Sequence, residues 1–331
     1  MNQAEKTRAT HLSRPAGQER RAFVVGLLNN MSDGALVATE EQFCSLLQEA
    51  APPSVDLTIR YYSLPGLERG DAARGHMQGR YEPVERLAKA HLDALIVTGA
   101  EPRAAKLEEE AYWPSLARVV DWSEAEGIPT AWSCLAAHAA VQRLSGVRRR
   151  RLPAKYSGVF PLQITGGGLL ARNAPNEMVA PHSRLNDLDA HELEDAGYEI
   201  IARSPDVGVD TFVRRGPALT VFFQGHPEYD ADALGREYLR DVSRFLRGHQ
   251  TNHPPAPTGY FDPVTLGVLQ ALSDRAESTR AAGLLEAYAQ AVGTRAPRGA
   301  WRPWALHVYR AWLRHASAVS VAGPAGATTE R

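Results

Sequence analysis

The sequence has little cysteine, no excess of either charge and no long apolar run. Two cysteines, Cys44 and Cys134, in 331 residues are too few for a disulfide scaffold and suit a reducing compartment. Lys and Arg number 37 against 38 Asp and Glu, so the basic excess typical of nucleic-acid binders is missing. No apolar stretch approaches the roughly 18 residues of a membrane span, and residues 1–21 lack the apolar core of a signal peptide. We therefore expect a cytoplasmic protein that binds neither nucleic acid nor membrane.

The length and composition are those of a folded globular chain, with 44% hydrophobic and 23% charged residues. They permit two domains, or one large α/β domain with additions. We expect a flexible leader over residues 1–20 and an α/β core over 21–250. A C-terminal helical extension over 251–316 should pack on that core, and a disordered tail should follow over 317–331.

In the first half, short apolar runs alternate with segments of helical periodicity. Strands are predicted at 21–28, 55–62, 92–99 and 129–132, and helices at 39–47, 84–90, 113–126 and 135–144. This alternation predicts a doubly wound, mostly parallel sheet with helices on both faces.

The second half changes to an antiparallel pattern followed by helices. Gly166–Gly168 is predicted to form a hairpin turn between strands at 156–164 and 169–172. Further strands are predicted at 198–202, 211–213 and 218–225, and helices at 232–247, 265–292 and 301–316.

Cys134 lies where an apolar strand runs directly into a helix of small residues, in the segment TAWSCLAA (130–137). This is the layout of a nucleophile elbow, and a helix N-terminus favours the thiolate. Trp132 and Ala136 replace both glycines of the Gly-x-Ser-x-Gly form, so a buried structural cysteine is the alternative. Cys44 stands beside Phe43 on the apolar face of a helix, which indicates a core position.

A base for this thiol is available in QGHPEYD (224–230), directly after a predicted strand. His226 at the strand end, with Glu228 two residues later, fits a Cys–His–Glu relay in which Glu228 orients the imidazole. The alternative is a histidine that caps a turn. No histidine pair has metal-ligand spacing, so no metal site is predicted.

Several longer motifs occur in a fixed order along the chain. They are LIVTGAEPRAAKLEEEAYWPSL (95–116), WSCLAAHAA (132–140), KYSGVF (155–160), APHSR (180–184) and GHPEYDADALGREYLRD (225–241). Together they resemble the homoserine O-acyltransferase family, the O-succinyltransferases and O-acetyltransferases of methionine biosynthesis. The resemblance covers about residues 24–246 and resumes at 260–261 and 301–313. It implies a class I glutamine amidotransferase-like fold that carries out acyl transfer.

The resemblance assigns roles residue by residue. It implies that Cys134 is the acyl-thioester nucleophile, His226 the general base and Glu228 its partner. By analogy with other elbows, the backbone N–H of Leu135 and one from the Gly99–Ala100 turn would form the oxyanion hole, with Ala100 as its second residue.

The same resemblance implies that the substrate is bound by Lys155, Ser183, Arg184 and Arg240. Arg103 falls at the acyl-donor position, which is Gly in succinyl-type and Glu in acetyl-type members. Its guanidinium suits the distal carboxylate of succinyl-CoA, although its bulk would favour acetyl-CoA if it filled the pocket. The chain departs from the family at Ser32–Gly34, Leu135 and His138, which marks it as a divergent member.

We therefore expect an acyl-CoA-dependent O-acyltransferase, and L-homoserine O-succinyltransferase best fits the sequence. The co-substrate would be succinyl-CoA rather than acetyl-CoA, with no bound cofactor or metal. An acetyl donor, serine as acceptor, an amidase-type hydrolase and a non-catalytic homologue stay open. The expected partners are small molecules, and a homodimer is one of the assembly states left open.

Overall fold

The computed structural model describes residues 10–11, 20–216, 218–293 and 299–322. The strands are β1 (Thr10–His11), β2 (Arg21–Leu28), β3 (Val55–Ser63), β4 (Tyr81–Pro83), β5 (Ala94–Val97), β6 (Thr130–Ser133), β7 (Arg150–Pro161), β8 (Gln163–Ile164), β9 (Val179–Asp187), β10 (Glu199–Ser204), β11 (Gly208–Arg215) and β12 (Leu219–Phe223). The α-helices are α1 (Asp33–Ala50), α2 (Asp71–Met77), α3 (Trp113–Ala125), α4 (Leu135–Ser145), α5 (Gly168–Ala171), α6 (Ala190–Asp195), α7 (Ala233–Leu246), α8 (Pro263–Thr279), α9 (Leu284–Gly293) and α10 (Arg302–Ala322).

The main sheet has the order β1-β3-β2-β5-β6-β12-β11-β10-β8, and β4 pairs with β3. Its centre, from β3 to β12, is parallel, whereas β11, β10 and β8 continue it in antiparallel pairs. Strands β7 and β9 form a separate antiparallel pair. The predicted doubly wound, mostly parallel sheet is confirmed.

The central strands are buried on both faces, which explains why they are continuous apolar runs rather than alternating ones. Every residue of β5, β6 and β12 is buried. One core cluster includes Phe43 of α1 and Trp304 of α10, and the other includes Val120 of α3 and Ala140 of α4. Helices therefore cover the sheet from both sides.

The C-terminal helices do two different things. Helices α8 and α9 pack with α7 in a third cluster of buried residues that includes Leu269 and Tyr288. Helix α10 packs on α1 and α5, and its buried Trp312 belongs to the core cluster that includes Phe43. The single predicted helix over 265–292 is two helices, because α8 ends at Arg280, whose φ of 47° is left-handed.

The predicted hairpin at Gly166–Gly168 is wrong. The glycines lead into α5, not into a strand. Leu170 of this one-turn helix is buried in the core cluster that includes Phe43. The partner of β7 is β9 instead. Four residues are too few to separate a strand period from a helical one, which is why the sequence pattern misled.

Two described elements extend into the predicted end segments. Thr10–His11, inside the predicted leader 1–20, pairs with β3 as an edge strand. Helix α10 continues past residue 316 to Ala322, in keeping with the high helix propensity of alanine. Residues 323–331 of the predicted tail lie outside the described residues. None of the described helices has the length and apolar character needed to cross a bilayer.

Candidate active site

Parallel pairing of β6 and β12 brings Cys134 and His226 together. Ser133, the last residue of β6, is in register with Phe223, the last residue of β12. The Cys134 N–H donates to the Phe223 carbonyl at 2.8 Å. The chain segments that follow both strands therefore leave from the same edge of the sheet, where open α/β sheets bind their ligands.

Cys134 occupies a strained turn directly before α4. Its φ of 53° and ψ of −117° are rare for a residue with a side chain, and such strain concentrates at functional sites. The turn ends β6 and starts the helix within one residue. The thiol thus lies at a helix N-terminus, where free N–H groups and the helix dipole favour negative charge.

His226 connects this thiol to a buried carboxylate. Its Nδ1 lies 2.8 Å from Glu228 Oε1, and both residues are buried. Burial alone would lower the pKa of His226. The charges of Cys134 and Glu228 and the hydrogen bonds to both outweigh burial and hold that pKa well above its usual value. The site therefore favours a protonated His226, which Glu228 orients beside Cys134.

The loop after β5 approaches the first N–H of α4. A Cβ placed on Gly99 would lie 3.1 Å from Leu135 N and 3.2 Å from Leu135 Cβ, so only glycine leaves this space open. Asn30 fixes the loop, because its backbone N–H donates to Thr98 Oγ1 at 2.8 Å and its Nδ2 to Thr98 O at 3.1 Å. Gly99, followed by Ala100, thus borders the space beside the Leu135 N–H that we expect an oxyanion to fill.

Three of the predicted substrate-binding residues converge on two acids of α7. Lys155 Nζ lies 2.8 Å from Asp241 Oδ2 and 3.7 Å from Glu237 Oε2. The Ser183 hydroxyl donates to Glu237, and Arg240 Nε donates to Asp241 at 3.1 Å. Burial raises the pKa of each acid, but Lys155 and Arg240 outweigh it, so both pKa values are lowered. We call these five residues the α7 charge cluster.

Tyr229 links the α7 charge cluster to the relay. Its ring stacks on His226 with centroids 4.3 Å apart, and its hydroxyl donates to Glu237 Oε1 at 2.9 Å. The sequence motifs did not single out Tyr229, Glu237 or Asp241 as site residues. The signal was present, because Glu237 and Asp241 are four residues apart on a helix and therefore share a face with each other.

Arg184 is not brought to the α7 charge cluster. Successive residues of a strand point to opposite sides, so Ser183 faces α7 and Arg184 faces away. The Arg184 side chain is only 2% exposed and donates to Asp187 Oδ1 at 2.6 Å, while its guanidinium lies over the Tyr156 ring. Its Nε donates to His182 Nδ1 at 3.2 Å. These contacts anchor the strand that carries Ser183.

Arg103 lies at the edge of a cavity of about 610 Å³. Its side chain is 65% exposed and pairs with Glu68 at 2.6 Å. The backbone N–H groups of Arg103 and Ala104 donate to Glu110 Oε1 at 2.7 and 2.8 Å, which fixes the loop.

The described residues contain no group of three or more His, Cys, Asp and Glu side chains arranged to hold a metal ion.

The chain is similar to known proteins over most of its length. The family model of homoserine O-succinyltransferase matches residues 2–321. A homoserine O-succinyltransferase of Rhodopseudomonas palustris is 47% identical over 260 residues, which cover 78% of each chain. One from Methylorubrum extorquens is 45% identical over 294 residues, 89% of this chain and 87% of the relative.

Among solved structures, a glutamine amido transferase from Methylobacillus flagellatus matches with a TM-score of 0.50 and 14% identity, over 94% of this chain and 99% of the other. At that identity the match shows the fold alone, and it confirms the class I glutamine amidotransferase-like fold. The family model and the close relatives show more: the chain belongs to the homoserine O-succinyltransferase family and is an acyltransferase that acts on small molecules.

Proposed function

We propose that the chain transfers a succinyl group from succinyl-CoA to the hydroxyl of L-homoserine, by way of a thioester on Cys134. The hydrogen-bonded relay of Cys134, His226 and Glu228 in a member of this family carries the proposal. We also propose that the protein acts in the cytoplasm, because a chain with only two cysteines, both of them free, suits a reducing compartment. A homodimer stays a prediction.

In the first half-reaction the Cys134 thiolate attacks the thioester carbonyl of the donor. The carbonyl oxygen becomes an oxyanion beside the Leu135 N–H and the Gly99–Ala100 turn. When the tetrahedral intermediate collapses, the bond to the CoA sulfur breaks and His226 gives its proton to that sulfur. The products are free CoA and a succinyl thioester on Cys134, with neutral His226.

Acylation itself prepares His226 for the second half-reaction. The charge of Cys134 is the first of the influences that raise the pKa of His226, and a thioester carries no charge. Loss of that charge lowers the pKa of His226 relative to the free enzyme, so the imidazole that gave its proton to CoA stays neutral until the acceptor arrives. It takes the proton of the homoserine hydroxyl, whose oxygen attacks the thioester carbonyl. Collapse releases the O-succinyl product and restores the thiolate–imidazolium pair.

The α7 charge cluster fits an amino acid that carries both charges. Arg240 and Lys155 offer cations to the α-carboxylate, and Glu237 and Asp241 offer carboxylates to the α-ammonium. Tyr229 connects Glu237 to His226, so an acceptor held here lies next to the base.

Replacing Arg240 with alanine is expected to raise the KM for the acceptor. A lost charge pair of this kind costs about 2 kcal/mol, or about 30-fold in KM. The rate at which the donor acylates Cys134 should stay within about threefold, because Arg240 does not contact the relay. Steady-state kinetics with varied homoserine, together with single-turnover acylation, separate the two effects.

The matched control is Arg236→Ala, on the same helix. Arg236 pairs with Asp230 and Asp232 rather than with the cluster, so its loss should leave the acceptor KM unchanged. Slow donor acylation with an unchanged acceptor KM in Arg240→Ala would contradict the assignment.

The donor assignment is tested by comparing kcat/KM for succinyl-CoA and acetyl-CoA. We expect the wild type to prefer succinyl-CoA, and we expect Arg103→Ala to shrink that preference severalfold. The effect should be modest, because an exposed guanidinium already paired with Glu68 is screened by water. A wild-type preference for acetyl-CoA would overturn the succinyl assignment.

A further inference from the structure

The cavity beside Arg103 lies at the topological switch point of the sheet. From β2 the chain passes through α1 to β3 on one side, and β5 later pairs with β2 on its other side. Ligands of open α/β sheets bind at the carboxyl ends of strands at such a point. The loops after β2 (30–32) and β5 (101–104) line this cavity of about 610 Å³, which is within the usual range for a small-molecule site.

Arg69 lines the cavity and has hydrogen-bond donors without a partner among the described residues. Its side chain is only 8% exposed, and its Nη1 donates to the Met31 carbonyl and to Asp33 Oδ1, the latter at 3.2 Å. Its Nε and Nη2 are buried and have no hydrogen-bond partner among the described residues. Buried polar groups nearly always have partners, so these two nitrogens indicate a ligand or a rearrangement that supplies one.

The acids on the cavity wall are already engaged. Glu68 pairs with Arg103, Glu101 pairs with Arg244 at 2.9 Å, and Glu109 lies 3.8 Å from Lys106. Glu110 accepts backbone N–H groups. Asp33, the acid nearest Arg69, is 39% exposed, so water screens that pair. A planar guanidinium with two unpartnered nitrogens is the group that best recognises a carboxylate.

The cavity adjoins the oxyanion region through Asn30, which lines both. Asn30 hydrogen-bonds Thr98, next to Gly99, which lies against the Leu135 N–H. Strands β2, β5 and β6 are neighbours, so the end of β2 is two strand spacings, about 10 Å, from Cys134. At that distance the cavity can receive the far end of a short acyl chain whose carbonyl is at Cys134. The phosphates of CoA lie at the end of the much longer pantetheine arm and suit a site farther away.

We propose that Arg69 binds the free carboxylate of the succinyl group and so selects the donor, an inference that rests on the proposed function. Single-turnover acylation of Cys134 by two donors tests this role. The donors are succinyl-CoA and butyryl-CoA, which has the same chain length without the carboxylate. Arg69→Ala should slow acylation by succinyl-CoA about 100-fold and change acylation by butyryl-CoA less than about threefold. Arg69→Lys, which keeps the charge but not the planar fork, should fall between wild type and alanine.

Arg86→Ala is the control, because Arg86 is a largely exposed arginine that pairs with Glu82 outside the cavity. Equal slowing with both donors in Arg69→Lys would mean that Arg69 only holds the turn after β2 or contacts the CoA portion, and it would overturn the proposal. Unchanged acylation by succinyl-CoA would overturn it too. If succinyl-CoA does not acylate the wild type, the proposed function itself fails. That result is distinct from a failure of the Arg69 proposal, which shows only when the variants are compared with an active wild type.

Discussion

Cys134→Ala is expected to lower kcat by about 10³-fold or more while the protein stays folded. Removing a covalent nucleophile removes the pathway rather than weakening one contact. Cys134→Ser should be similarly impaired, because His226 would face a hydroxyl instead of a thiolate. Turnover with saturating donor and acceptor, beside a thermal unfolding curve, is the measurement.

Cys44→Ala is the matched control for the nucleophile. Cys44 hydrogen-bonds the Tyr61 hydroxyl at 3.0 Å, and burial raises the pKa of its thiol, so it is a core residue rather than a reactive one. Its loss should leave turnover near the wild-type rate. Near-normal turnover in folded Cys134→Ala would eliminate the covalent mechanism.

The same Cys134→Ala variant should lower the pKa of His226. In the wild type the charge of Cys134 helps to hold that pKa above its usual value, and alanine leaves burial to lower it. The imidazole should therefore lose its proton at a lower pH in the variant, which a histidine NMR titration measures. An unchanged or raised pKa would contradict the acylation-dependent change of His226 from cation to base.

His226→Ala is expected to approach the loss caused by removing the nucleophile, about 10³-fold in kcat. Without the imidazole the thiolate has no cationic partner, and neither half-reaction has a proton carrier. Glu228→Gln should retain more activity, at a loss of about 10- to 100-fold, because Glu228 orients the ring but transfers no proton.

His191→Ala tests whether this effect belongs to the site. The His191 side chain is 90% exposed on α6, so the same chemical change there should leave kcat unchanged. If His226→Ala kept most of its activity, the GHPEYD segment would not be the source of the base.

The relay was predictable because it depends on strand ends. The sequence predicts apolar strands over 129–132 and 218–225, close to the observed ends at Ser133 and Phe223, and parallel strands bring the residues that follow them to one edge. Cys134 and His226 come within three residues of those ends, so their approach needs no knowledge of side-chain packing. The parallel core was predictable for the same reason, since runs buried on both faces are long, apolar and separated by helices.

Arg184 and the α7 charge cluster were harder to predict, because they depend on which way side chains point. The motif APHSR places Ser183 and Arg184 side by side in sequence, but a strand sends them to opposite sides. Glu237 becomes part of the site only because α7 packs with this face toward Lys155. The glycines before α5 misled because one helical turn leaves no periodic signal.

The most direct test of the central claim is the intact mass of the protein after incubation with succinyl-CoA and no acceptor. We expect the mass to increase by one succinyl group per chain. Peptide mapping should locate this group on Cys134, and it should be absent from Cys134→Ala. Adding L-homoserine should remove the group and release O-succinylhomoserine. A wild-type protein that forms the product without ever carrying the adduct, or that carries it equally in Cys134→Ala, would contradict the account.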